Sequence, residues 1–377
     1  MEPSRLRPLR LPRALHPAAW WLWALGMATA ASRTTNPLLL ALVLVVVAQV
    51  VAARRGEAPW ARGFRAYLML GLMIVGIRVV YRVLLGGSFG THLLVTLPQL
   101  SPPAASGIHI GGAVTLEGVL AAVFDGLRLA TLLVCVGAAN VLADPKRLLK
   151  SVPAALHEVG VAVTVSLTLA PQLIESAQRV RRARRLRGEP GRRRALVRTV
   201  LVPTITDALD RSLLLAAAMD GRGYGRTSAV PRGQRAVAGG LLLAGLLGAC
   251  CGTYGLLDGT APRLLGLPMM VAGVASAAAG LVVSGRRVER TRYRPEPWRS
   301  PEWSVAAIGL VVAGILVTTS RVDPTALNPS LQPLSWPDLP ILPAVGIVLG
   351  VIPAWLAPPV RNPPTRSRPA PVLAGVA

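Results

Sequence analysis

The run "PLLLALVLVVVAQVVAA" (residues 37–53) contains no charged side chain. A helix rises about 1.5 Å per residue, and about 20 apolar residues cross about 30 Å of hydrocarbon, so this stretch points to a bilayer. "WSVAAIGLVVAGILVTTS" (303–320) repeats the feature. With 52% hydrophobic and 15% charged residues among 377, and a mean hydropathy of +0.51, the composition is that of a membrane protein.

The fold class expected is all-α, a polytopic membrane helix bundle. Apolar runs between basic loops place about eight spanning helices at 17–32, 36–53, 66–85, 116–142, 236–257, 264–285, 303–320 and 338–357. The chain then divides into N-terminal transmembrane helices (1–142), a polar region (143–235), C-terminal transmembrane helices (236–357) and a tail rich in Pro and Arg (358–377), expected to be disordered. The N-terminal basic and apolar stretch is read as a retained first helix rather than a cleaved signal.

A net charge of +24 would suit nucleic acid, but aromatic residues make up 4% and no helix-turn-helix, zinc-knuckle or RNP pattern is present, so nucleic acid is not expected as a partner. The charge instead follows the positive-inside rule. Arg5, Arg7, Arg10 and Arg13, then Arg54, Arg55, Arg62 and Arg65, then Arg286, Arg287, Arg290, Arg292, Arg294 and Arg299 fall on one side, while 86–115 holds no Lys, Arg, Asp or Glu. The polar region carries 18 Lys plus Arg against 7 Asp plus Glu and is expected in the cytoplasm of a bacterial cell, at its plasma membrane. Its apolar start, "ALHEVGVAVTVSLTLA" (155–170), is expected to be interfacial or re-entrant, because a full crossing would put the last basic loop outside.

Catalytic machinery is not visible. The two lysines, Lys146 and Lys150, follow Pro145 and Leu149, so no phosphate-cradling Gly-Lys turn exists in the chain. His16, His92, His109 and His157 lack metal-ligand spacing, and Cys135, Cys250 and Cys251 all sit in apolar runs. The expectation is a non-catalytic membrane protein with no cofactor and no metal site.

One pattern occurs twice. "ARRLRG" (183–188) and "AMDGRG" (218–223) both set Ala four residues before Arg, with Gly directly after. Each closes a segment expected to be a helix of four to five turns, the first starting with Pro171 at its N1 position and the second near Pro203. Leu173, Ala177, Val180, Ala183 and Leu186 make an apolar stripe on the first; Ile205, Leu209, Ser212, Ala216 and Met219 mark one on the second. Four residues is about one turn, so Ala183 shares a face with Arg187, and Ala218 with Arg222. The small residue admits a partner's backbone, the arginine offers a planar fork of donors past the helix end, and Gly188 or Gly223 turns the chain. Either arginine alone is accounted for by a positive-inside surface; the duplication suits a partner with two equivalent sockets.

"LAPQLIESAQRVRRARRLRG" followed by "LVPTITDALDRSLLLAAAMDGRGYGRT" resembles the coupling region of the transmembrane T-component of energy-coupling factor transporters, the EcfT/CbiQ family. The resemblance covers about 140–228. It implies cytoplasmic coupling helices whose motifs seat in two ABC-type ATPase subunits, Ala183, Arg187 and Gly188 in one and Ala218, Arg222 and Gly223 in the other. It further implies a small membrane-embedded S-component that binds the substrate, a vitamin or transition-metal ion. Two departures stand out: the first motif lies in a dense arginine run, and Gly221 stands where the family tends to carry Ala.

Ionisable residues within membrane helices are functional candidates. Asp125 and Arg128 are three apart and can pair on one helix face; Arg78 and Arg82 share a face of the third helix. These four would serve the alternative function, a stand-alone secondary transporter or channel. A third reading makes the basic region a surface for anionic lipid of the bilayer.

Overall fold

The computed structural model describes residues 15–56, 63–85, 90–100, 110–151, 156–186, 193–223, 232–258, 260–285 and 297–358. Its elements are α1 (Pro17–Ser32), α2 (Pro37–Arg54), α3 (Phe64–Leu85), β1 (Leu93–Leu100), β2 (Ile110–Thr115), α4 (Leu116–Leu142), α5 (Pro145–Lys150) and α6 (His157–Leu186). There follow α7 (Arg193–Gly221), α8 (Arg232–Leu257), α9 (Leu267–Gly285), α10 (Ser300–Val322), α11 (Pro324–Leu327), α12 (Ile341–Leu349) and α13 (Pro353–Leu356). The chain divides into two compact units, one of residues 1–148 with 295–377 and one of residues 149–294.

In the first unit, α1 is the centre. His16 and Asn36 cap α1 and α2 by accepting from the amides of Ala18 and Leu38, and a proline begins each helix, where its missing N–H costs nothing. α1 packs against α10 and α4, and α3 against α4. The α1–α10 approach is close because both contact positions are glycine: a Cβ on Gly26 would collide with the backbone of Gly309. Trp23, Met27, Leu39, Val43, Val312, Leu316 and Ile347 are buried together in one core.

Buried polar groups fasten the two ends of this core. Thr34 Oγ1 donates to the carbonyl of Leu327 and Asn36 Nδ2 to that of Asp338, so the α1–α2 turn is bonded to the α10–α12 connection. At the opposite end of α2, Arg54 Nε donates to the Ala354 carbonyl. These bonds make the last helices of the chain part of the same bundle as the first.

Seven helical stretches among the described residues are long and apolar enough to cross a membrane: α2, α3, α4, Val159–Ala183 of α6, Gly233–Leu257 of α8, α9 and α10. The polytopic helical class expected from sequence therefore holds, with five differences. The first crossing expected, 17–32, is α1, whose 16 residues leave it outside these seven. The crossing placed at 338–357 is broken into α12, a turn and α13, since Pro353 has no amide to continue the ladder. The uncharged segment 86–115 contains an antiparallel hairpin, β1 with β2, paired from Leu93 with Thr115 to Leu100 with Ile110.

The other two differences lie in the second unit. Of the segment 155–170, expected to be interfacial or re-entrant, residues 157–170 are continuous with the helix that follows: they form the first half of α6, which runs unbroken through Pro171. Likewise Pro203 is inside α7 rather than at its start. A proline removes one helix hydrogen bond but does not force a stop where neighbouring groups supply partners. Beyond these, α8 and α9 form a tight pair in which Gly245, Gly252 and Gly273 leave no room for a side chain.

Candidate functional site

The second copy of the repeated pattern lies at the end of α7. The helix closes with Arg222 N bonded to the Met219 carbonyl at 3.1 Å and Gly223 N to that of Asp220 at 2.9 Å. Gly223 has φ +76°, the left-handed conformation that ends a helix and that a side chain disfavours. Ala218 and Arg222 are exposed and Gly223 half-buried, so among the described residues the arginine is exposed at the helix tip, one turn from the small residue. Gly221, still helical, has open space where a Cβ would be.

The first copy is described only in part. Ala183 is exposed on the last turns of α6, which ends at Leu186, itself 90% exposed. Arg187 and Gly188 lie outside the described residues, as do the Arg286–Arg294 cluster and the Pro- and Arg-rich tail from 359 on.

The face by which α7 meets α6 differs from the apolar stripe expected on it. Ile205 and Leu209 of α7 are exposed, whereas Val200 and Thr204 are buried; Asp207, half-buried, and Arg211, exposed, continue the same face. On α6 the buried residue is Ser176, 5% exposed. Ser176 Oγ donates to Asp207 Oδ2 at 2.7 Å, Arg211 Nε donates to Oδ1 at 3.1 Å, and an Arg179 guanidinium nitrogen lies 3.7 Å from Oδ2. The Ser176 hydroxyl first, and then Arg211, hold the Asp207 carboxyl below its ordinary value. Apolar period alone could not find this contact, because its strongest members are a serine and an aspartate.

The four polar residues of the membrane helices are placed in the first unit and do not converge. Arg78 and Asp125 are exposed, and Arg82 lies along Gly118 near Thr115. Arg128 does not pair with Asp125 as their spacing allowed; its guanidinium donates to the Ser32 carbonyl at the end of α1, where the unbonded carbonyls of a helix terminus attract a cation. A polar residue not singled out from sequence is Glu117, 2% exposed. It accepts from the amides of Thr91 and His92 and lies 2.6 Å from His92 Nδ1, anchoring the entry to the hairpin on the first turn of α4. Among the described residues no three His, Cys, Asp or Glu side chains gather as metal ligands.

Long apolar helices packed through glycine, with buried polar groups satisfied by backbone, define a multi-pass membrane protein. The sequence profile of the CbiQ family, described as cobalt transport protein, matches residues 10–231. The chain belongs to that family of transport proteins. Direct comparison with curated protein sequences gives no match.

Proposed function

We propose that the chain is the transmembrane coupling subunit of an energy-coupling factor importer. In this reading α6 and α7 reach into the bacterial cytoplasm, and the motif at the end of each seats in one of two ABC-type ATPase subunits. ATP-driven movement of those subunits is passed through the helices to a small membrane-embedded S-component that holds the cargo. The family match favours a transition-metal ion such as cobalt as cargo, with a vitamin as the alternative. The chain itself is then non-catalytic, and hydrolysis belongs to the partners.

The observation that carries the reading is the tip of α7, where a left-handed Gly223 ends the helix and leaves Arg222 exposed one turn beyond Ala218. A helix end so built presents a guanidinium fork to a carboxylate or carbonyl of a docking groove. The stand-alone carrier gets no support from Arg78, Arg82, Asp125 and Arg128, which share no common path.

Arg187→Glu and Arg222→Glu are expected to detach the ATPase subunits while membrane insertion stays intact. Affinity purification in mild detergent from the native host measures this, and full ATPase recovery with both variants would overturn the reading.

A further inference from the structure

Two motif helices transmit a push only if the angle between them is held. The described hydroxyls of α6 and α7 show where that hold is. Thr164, Ser166, Thr168, Thr204, Thr206 and Ser212 each donate to a carbonyl three or four residues back in their own helix. Such bonds keep the helix content with itself. Ser176 instead reaches across to Asp207, and it is the one of these seven that is both deeply buried and spent on the neighbouring helix.

The surroundings explain why a polar bond matters here. Among the described side chains, the buried residues flanking the contact on α7 are small, Val200 and Thr204, and offer few ridges to fix an angle. Asp207 supplies what packing does not. One carboxylate takes the Ser176 hydroxyl on one oxygen and the Arg211 Nε–H on the other, with Arg179 of α6 3.7 Å away. Three side chains from two helices thus meet on the Asp207 carboxylate, and neither arginine is a motif arginine.

Leverage follows from position. Ten residues separate Ser176 from the end of α6 and fourteen separate Asp207 from the end of α7; at about 1.5 Å per residue the arms are roughly 15 and 21 Å. Slack of about 10° at the crossing would displace the longer tip by about 4 Å, close to the pitch of one helical turn.

We propose that Asp207 is the positioning residue that locks α6 to α7 at their crossing, so that the two motif helices move as one lever. The proposal rests on the coupling role, and it identifies the part of the chain that keeps the two ATPase contacts in step.

The test uses the full chain in lipid nanodiscs, with Cys135, Cys250 and Cys251 replaced by Ala and spin labels at Arg182→Cys and Leu214→Cys, both exposed. The separation distribution is expected to be narrow, to widen at least about twofold in Asp207→Ala, to widen less in Ser176→Ala, and to recover in Asp207→Glu. In the complex co-expressed with ATPase and S subunits, Asp207→Ala is expected to keep ATPase recovery within about twofold but to lower labelled Co2+ uptake per ATP hydrolysed by about tenfold. An unchanged distribution in both Asp207→Ala and Ser176→Ala overturns the lock. Unchanged uptake per ATP in Asp207→Ala overturns its positioning role. If Arg187→Glu and Arg222→Glu both retain the ATPases in full, it is the coupling reading that fails, and the label separation still decides whether Asp207 holds the helices.

Discussion

The indole Nε1 of Trp23 donates a hydrogen bond of 3.1 Å to the carbonyl of Gly350, joining residues 327 positions apart. Gly350 closes α12 just before the turn that Pro353 enforces, and such a helix end leaves carbonyls without intrahelical partners. In an apolar core an unmet carbonyl is costly, and Trp23 meets it. The CbiQ profile ends at residue 231, yet α10 and α12 beyond it share the core with α1 and α2. The C-terminal helices of this chain are structural members of the bundle rather than an appendage.

Trp23→Phe, which keeps an aromatic ring but removes the donor and part of the indole volume, is expected to cost about 1–3 kcal/mol. Trp23→Ala also leaves a cavity and is expected to cost about 3–5 kcal/mol. Unfolding in mixed micelles measures both. A negligible cost in Trp23→Phe would mean that the bond to Gly350 contributes nothing beyond packing.

At the tip of α7 the two glycines should respond oppositely. Gly221 has room for a methyl and helical geometry, so Gly221→Ala is expected to stabilise the last turn by about 0.5–1 kcal/mol and to retain the ATPase subunits. Gly223 is left-handed, and Gly223→Ala is expected to cost about 1–2 kcal/mol. Amide hydrogen exchange across 219–223 reads both effects: slower in the first variant and faster in the second. The same direction in both would contradict the cap geometry.

The contact of Asp207 has a defined acid limit. Its carboxyl is held below the ordinary 3.8 by Ser176 and then Arg211. For a depressed carboxyl, the stabilising contribution is complete above the unfolded value and is lost as pH falls through the folded one. The Arg182–Leu214 label separation should therefore stay constant from about pH 8 to about pH 5 and widen only below about pH 4. Asp207→Asn removes this limb. A transition near neutral pH would instead implicate a histidine.

Much of this was legible in the residues. The spans of α2, α3, α4, α8, α9 and α10 lie within a few residues of the apolar runs, because the length of such a run is a local property. The tip of α7 was readable too, since Ala218, Arg222 and Gly223 act within one turn. Pro171 and Pro203 misled, because proline marks a helix start only where the chain has no better use for the preceding residues, and here both helices continue upstream. The face of α7 was misread because Val200, Thr204 and Asp207 do not form an apolar stripe.

Sequence by itself thus determined that the chain is a membrane helix bundle carrying two arginine-tipped motifs, since apolar length and i to i+4 spacing are both encoded within single helices. Tertiary structure alone decided that Arg128 serves Ser32 rather than Asp125, that Trp23 completes Gly350, and that Ser176 meets Asp207. Those choices depend on which backbone or side chain a distant part of the chain brings within hydrogen-bonding range. Periodicity along one helix carries no record of that distance.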